Sequence, residues 1–178
     1  ALKDRITKLD WMSDSTKQKA YAKLASVKSK VGYPDKWKDF RTMDIGRESF
    51  AKNYMNSKLW WHNYNYSKLG KPVDRDEWDM YPQTYNAYYN PSNNEIVLPA
   101  GIFTVPGYRD EELDDAVVYG YGGASTIGHE ITHGFDDEGR QFDAKGNLVS
   151  WWTKTDEEEF KKRADVIIKQ FDEYEPVK

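Results

Sequence analysis

The stretch Thr126-Ile127-Gly128-His129-Glu130-Ile131-Thr132-His133-Gly134-Phe135 holds the groups best spaced for chemistry. It contains His-Glu-x-x-His, a zinc-hydrolase pattern. Successive helical residues turn by about 100°, so His129 and His133 fall one turn apart on one face. Two imidazoles so placed reach one divalent ion at about 2.0–2.1 Å each. Glu130 points to the side of that face, where it can take a proton from a zinc-bound water. Ile127, Ile131 and Phe135 recur at i, i+4, i+8 and predict an apolar stripe. Glu130 is the one charge between Thr126 and Phe135, which predicts a buried, water-excluding metal helix.

The chain has three histidines, and the third is His62, inside Trp60-Trp61-His62-Asn63-Tyr64. No carboxylate or second histidine lies at ligand spacing from it, so it reads as a packed or surface side chain. A catalytic zinc takes three protein ligands and a water. Downstream acids are available at Glu157, Glu158 and Glu159, but their place at a helix start already accounts for them. Glu173 and Glu175 stand at the exposed chain end. None of these is assigned, and the third ligand is expected outside this chain. Asp136-Asp137-Glu138 either orients the histidines by hydrogen bonding or forms a solvated turn.

The elements that must position this motif follow from periodicity. Leu2, Ile6 and Leu9 predict an uncapped amphipathic helix. Ser13 or Ser15 caps a second helix, with Ala20, Leu24, Val27 and Val31 on its buried face, its lysines solvated, and Gly32 and Pro34 ending it. A third helix is expected from about Ile45 to about Tyr66, with Phe50, Tyr54 and Trp61 on one side. Thr84–Tyr89 and Glu95–Pro99, joined by the turn cluster Asn90-Pro91-Ser92-Asn93-Asn94, read as a hairpin. Pro99 restricts its strand to the end or edge of a sheet. An edge strand before a metal helix can take an extended peptide by backbone hydrogen bonds. Gly101 to Asp115 reads as an irregular acidic linker. Gly120, Gly122 and Gly123 are expected to let the backbone pack closely. A turn falls at Ala144-Lys145-Gly146-Asn147. Thr155-Asp156-Glu157-Glu158 reads as a capping box for a last helix, with Phe160, Ala164, Ile167, Ile168 and Phe171 buried and Pro176 as its stop. The domain reading is a helical segment at 1–70 and the metal-motif segment at 71–178.

Composition sets outer bounds. The 178 residues suffice for one sizeable core. With 30 acidic against 26 basic residues the net charge is −4, which argues against nucleic acid as a partner. Mean hydropathy is −0.92, and no apolar run approaches a membrane span. There is no cysteine, so disulfides and thiolate ligands are excluded, and the redox compartment stays open.

The sequence resembles the neprilysin family of zinc endopeptidases, the group that includes endothelin-converting enzymes and bacterial oligopeptidases. The resemblance rests on Asn86-Ala87-Tyr88-Tyr89, the run from Asn94 to Ile102, Tyr121-Gly122-Gly123, and the run from Ile127 to Asp137. Gly139-Arg140, Gly146-Asn147-Leu148, Trp151-Trp152-Thr153, Leu9-Asp10-Trp11-Met12 and Val31-Gly32-Tyr33-Pro34 add to it. It implies an α+β fold, a thermolysin-like zincin catalytic lobe, mostly helical with a small sheet or hairpin. It implies zinc as cofactor, His129 and His133 as ligands, Glu130 as general base, and Asn86 and Ala87 as holders of the substrate backbone. Members of the family cut short peptides inside a closed cavity, commonly on the amino side of apolar residues. They are several times longer, and their third ligand, a Glu of a Glu-Asn-x-x-Asp helix, comes later than Lys178. The resemblance therefore also implies a needed partner, the C-terminal part of the catalytic domain, from the same gene or a second chain. Without it, weak zinc binding and little activity are expected. An extracytoplasmic setting is the commoner one for the family, with cytoplasmic members known. The contrasting reading is a non-catalytic peptide-binding or scaffold module that uses the edge strand around Asn86.

Overall fold

The computed structural model describes residues 1–175. The fold is helical with one small sheet. Contacts divide the chain into one unit formed by 1–33 with 80–178 and a second formed by 34–79.

The first unit begins with helix α1 (Leu2–Thr7) and helix α2 (Asp14–Ala25). Ser13 is the N-cap of α2, and its hydroxyl accepts from the Thr16 amide at 3.4 Å. The helix predicted to run on through Val27 and Val31 stops at Ala25. Residues Lys28–Gly32 instead form strand β1. The reason is tertiary: β1 runs parallel to strand β3 (Glu95–Pro99), from Lys28 opposite Glu95 to Gly32 opposite Pro99. Sheet hydrogen bonds at that position override a local helical period. Strand β2 (Tyr88–Asn90) pairs antiparallel with the other side of β3, giving the order β1-β3-β2. The predicted hairpin is present, but its first strand is Tyr88–Asn90 rather than Thr84–Tyr89, and the strand ending in Pro99 is central. Pro99 is tolerated because it ends the strand, and the edges belong to β1 and β2.

β3 is buried throughout. Ile96, Leu98 and Ala87 form one core cluster, against which Val27, Ile102, Ile127 and Ile131 pack. Ile6, Met12, Ala20, Trp151 and Trp152 form a second, contacted by Phe135 and Phe160. The Ile127-Ile131-Phe135 stripe thus divides between two clusters, so the metal-motif segment is held from both sides. The Ala144–Asn147 turn forms as predicted, with Gly146 at φ 84°. A side chain there would meet the Ser92 carbonyl at 1.8 Å, so this turn lies directly on the β2–β3 turn.

The last helix, α6, spans Lys154–Asp172. Its cap is Thr153, two residues before the predicted box, and the partner is Asp156. Asp156 also accepts from the Ser13 amide at 2.8 Å, the Ser13 hydroxyl at 2.6 Å and the Thr16 hydroxyl at 2.6 Å. One carboxylate therefore fastens the starts of α2 and α6 together. Phe160 packs as expected, but Ile167, Ile168 and Phe171 are more than half exposed, because no described residue lies over that face. Pro176 lies outside the described residues.

Asp156 is 1 % exposed. Burial alone would raise its pKa. The hydrogen bonds from Ser13, Thr16 and Thr153 outweigh burial and hold it down to about 2, against an ordinary 3.8. Its folded pKa lies below its unfolded one, so its stabilisation is complete above pH 4 and is lost as pH falls from about 4 to about 2. At about 1.4 kcal/mol per unit, the contribution is on the order of 2 kcal/mol. Asp156→Asn should lose this amount at pH 7 in denaturant unfolding, and the difference from the parent should shrink toward pH 2. A constant difference across that range would contradict the assignment.

In the second unit, helix α3 spans Phe50–Tyr66 and starts at the N-cap Ser49, five residues later than predicted. No α3 residue is buried, and Phe50 and Tyr54 are exposed. Trp60, Trp61, Tyr64 and Phe40 stack on one another, while Lys38 and Lys68 pair with Glu77. His62 stacks on Tyr66. Among the described residues no helix is long and apolar enough to cross a membrane.

Candidate metal centre

The motif sits at the end of a continuous helical stretch. It begins as a short α-helical turn, α4 (Asp115–Val117), widens to π geometry over Val118–Ile127, and returns to α geometry in α5 (Gly128–Thr132). The wide segment contains Gly120, Gly122 and Gly123. A side chain at any of them would meet open space, so these glycines do not serve the close packing expected of them. They lie in the π-wound stretch, a conformation that recurs beside functional sites.

Return to α geometry at Gly128 sets the spacing of the donors. The His133 amide bonds the His129 carbonyl at 3.2 Å. The two imidazoles meet edge to face, with their Nε2 atoms 3.0 Å apart. Two nitrogens on one tetrahedral zinc stand about 3.3 Å apart when each bond is about 2.0–2.1 Å. His133 Nδ1 lies 2.7 Å from Asp136 Oδ2. With Nδ1–H donating to that carboxylate, the Nε2 lone pair faces His129. The donor pair thus fits a divalent cation. Of the three acids after the motif, Asp136 is the one that orients a histidine, while Asp137 and Glu138 are exposed.

Asp136 is itself fixed by its turn. Its Oδ1 accepts from the Gly139 amide at 2.7 Å and the Glu138 amide at 3.2 Å. A Cβ on Gly139 would fall 1.7 Å from the His133 carbonyl, so only glycine lets the turn fold back onto the histidine. On the other side, the Tyr89 ring lies against Gly134, where a Cβ would come within 3.0 Å of it. Burial, and then the Asp136 charge, push the Tyr89 hydroxyl up, so it stays a neutral donor to Asn94 Oδ1 at 2.6 Å.

Glu130 is buried, at 8 % exposure. A cleft of about 390 Å³ is lined by Asn86, Ala87, Tyr88, Tyr89, His129, Glu130, His133 and Asp136 among others. All five sequence-predicted site residues, Asn86, Ala87, His129, Glu130 and His133, therefore face one space. Asn86 uses its side-chain oxygen to accept from the Ala87 amide at 2.8 Å. The predicted exclusion of water is not seen: both histidines are exposed, because the face above them carries no described residue. Among the described residues no third His, Cys, Asp or Glu joins the pair. Glu157 pairs with Arg140 and Lys161, and Glu159 with Lys162 and Arg163.

Sequence reading also missed a residue. The lysines of α2 are expected to be solvated, yet Lys23 is 1 % exposed. The signal was present, since position 23 shares a face with Thr16 and Ala20, both buried.

Two models of one peptidase family match the chain, at residues 1–34 and 86–178. It is 37 % identical to mouse endothelin-converting enzyme-like 1 and 38 % identical to neprilysin-11 of Caenorhabditis elegans, covering 97 % and 96 % of this chain. It spans 23 % and 21 % of those relatives' lengths. Among solved structures, a zinc metalloprotease of Mycobacterium tuberculosis bound to an inhibitor matches at 48 % identity and TM-score 0.90, over 98 % of this chain and 26 % of that one. PepO of Lactobacillus rhamnosis matches at 33 % identity and TM-score 0.82, over 98 % and 28 %. With the matching model at 86–178 covering more than half of its length, the chain belongs to peptidase family M13.

Proposed function

We propose that this chain is the proximal part of a thermolysin-like zincin catalytic lobe in a zinc metalloendopeptidase that hydrolyses short peptides. The observation that carries this reading is the 3.0 Å approach of His129 Nε2 and His133 Nε2 beside buried Glu130, in a cleft walled by Asn86 and Ala87. His129 and His133 would hold zinc, with a third ligand from the C-terminal part of the catalytic domain, in the same protein or a second chain. Residues 71–178 supply the metal motif and the edge strand, and the 1–70 segment precedes them, its Lys28–Gly32 strand paired with β3.

A zinc held by His129 and His133 would supply a water of lowered pKa and a Lewis acid for a carbonyl. The chain's own groups do the rest. Asn86 and Ala87 extend the β2 edge and hold a substrate backbone in line with it. Glu130 accepts the proton released as water attacks the scissile carbonyl and returns it to the departing amine nitrogen. Asp136 keeps the His133 proton on Nδ1, away from the reacting side.

The position of β2 at the sheet edge also supports a second reading, a peptide-binding or scaffold module without a competent metal site. Zinc titration separates the two. The enzyme reading expects one zinc per complete protein, lost on His133→Ala, by competition against a chromophoric chelator. Peptide affinity indifferent to a chelator, with no zinc taken up, would favour the module.

A further inference from the structure

The Lys23 ammonium stands in a socket on the far side of the metal turn. It donates to the carbonyls of Gly134 at 2.6 Å, Gly139 at 2.7 Å and Phe142 at 2.7 Å. An ammonium has three protons, so its donors are matched one to one. The rings of Phe135, Trp151 and Tyr89 surround it at 5.6, 5.7 and 6.0 Å. Trp151 Nε1 also donates to the Phe142 carbonyl at 2.9 Å, holding that acceptor in place. Burial pushes Lys23 down to about 8, partly offset by the Asp136 and Asp143 charges, so it remains largely protonated at neutral pH.

Gly134 and Gly139 are the two ends of the turn that carries Asp136. Gly134 follows His133 directly, and Gly139 donates its amide to Asp136 Oδ1. A single buried cation therefore pins both ends of the segment whose one acid contacts a histidine ring. Its α2 backbone is anchored in turn, because the Lys23 carbonyl accepts from Asn94 Nδ2 at 3.1 Å, next to the hairpin that walls the cleft. We infer that Lys23 is a positioning residue of the metal centre, acting through the Asp136 turn on the orientation of the His133 ring. This rests on the reading of His129 and His133 as zinc ligands.

The experiment uses the complete protein and zinc alone as probe, with affinity measured by chelator competition and folding by circular dichroism. Lys23→Met keeps the length of the side chain and removes the three donors. It should fold and bind zinc about 10- to 100-fold more weakly, as loss of an outer partner does at other zinc sites. The cobalt-substituted form should show a shifted d–d absorption band. In an Asp136→Asn background the same change should add less than about 3-fold, because the path through Asp136 is already broken. A folded Lys23→Met protein with unchanged zinc affinity, or full additivity with Asp136→Asn, would overturn the inference. So would failure of both Lys23→Met and the donor-retaining Lys23→Gln to fold, since that makes the lysine a requirement of the fold alone. A parent protein that takes up no zinc overturns the ligand reading itself, and this inference with it.

Discussion

Glu130→Gln should leave zinc content unchanged and, on the proposed peptidase reading, lower kcat by about 10²- to 10⁴-fold, the usual contribution of a positioned general base. Glu130 lies between the two histidines in sequence, is buried at 8 % exposure, and lines the cleft that also holds Asn86 and Ala87. It is not one of the paired donors, since His129 and His133 face each other. Glutamine keeps the shape and hydrogen-bonding reach of the side chain but accepts no proton at neutral pH. KM should therefore change little while kcat falls. Steady-state kinetics on a short peptide, with zinc measured in the same sample, checks this. Retained turnover at full zinc occupancy would remove Glu130 from the mechanism.

The largest effect on stability is expected at a different pair. Lys30 Nζ lies 2.9 Å from Glu95 Oε2, with the two side chains 5 % and 1 % exposed. β1 and β3 run parallel, and Lys30 stands two residues along from the Lys28–Glu95 pairing, so its stem reaches back along the sheet to the carboxylate. Removing one member of a buried ion pair leaves the other charged without compensation, at a cost of about 3–5 kcal/mol. Lys30→Met should show this cost in denaturant unfolding. Replacing both partners with apolar residues, Lys30→Met with Glu95→Leu, should recover most of it, because the stranded charge is then gone. A single variant as stable as the parent would mean that water reaches Glu95. The pair also explains the register: a one-residue slip of β1 would move Lys30 to the opposite face and expose the carboxylate.

Local pattern was sufficient wherever one helix turn carries the information. The i, i+4 spacing of His129 and His133 depends only on helical pitch, and the cleft assembles the same residues that the sequence singles out. The hairpin was equally legible, since the Asn-rich turn between two β-prone runs is a local signal. Resemblance to a family supplied what pitch does not, namely a role for Asn86 and Ala87 and the zinc itself.

Tertiary structure decided everything that depends on a distant partner. Val27 and Val31 continue a helical period, yet Lys28–Gly32 is a strand because β3 offers it a ladder. Asp136 could have been solvated like its neighbours; the Gly139 backfold makes it the orienting group for His133. Ile167, Ile168 and Phe171 show the helical spacing of a buried face, but burial requires a surface opposite, and none of the described residues supplies one. Lys23 and Lys30 read as solvent-facing cations because sequence reports a charge and not its acceptors. Each is buried because another part of the chain brings the compensating oxygens to it, three carbonyls in one case and a carboxylate in the other.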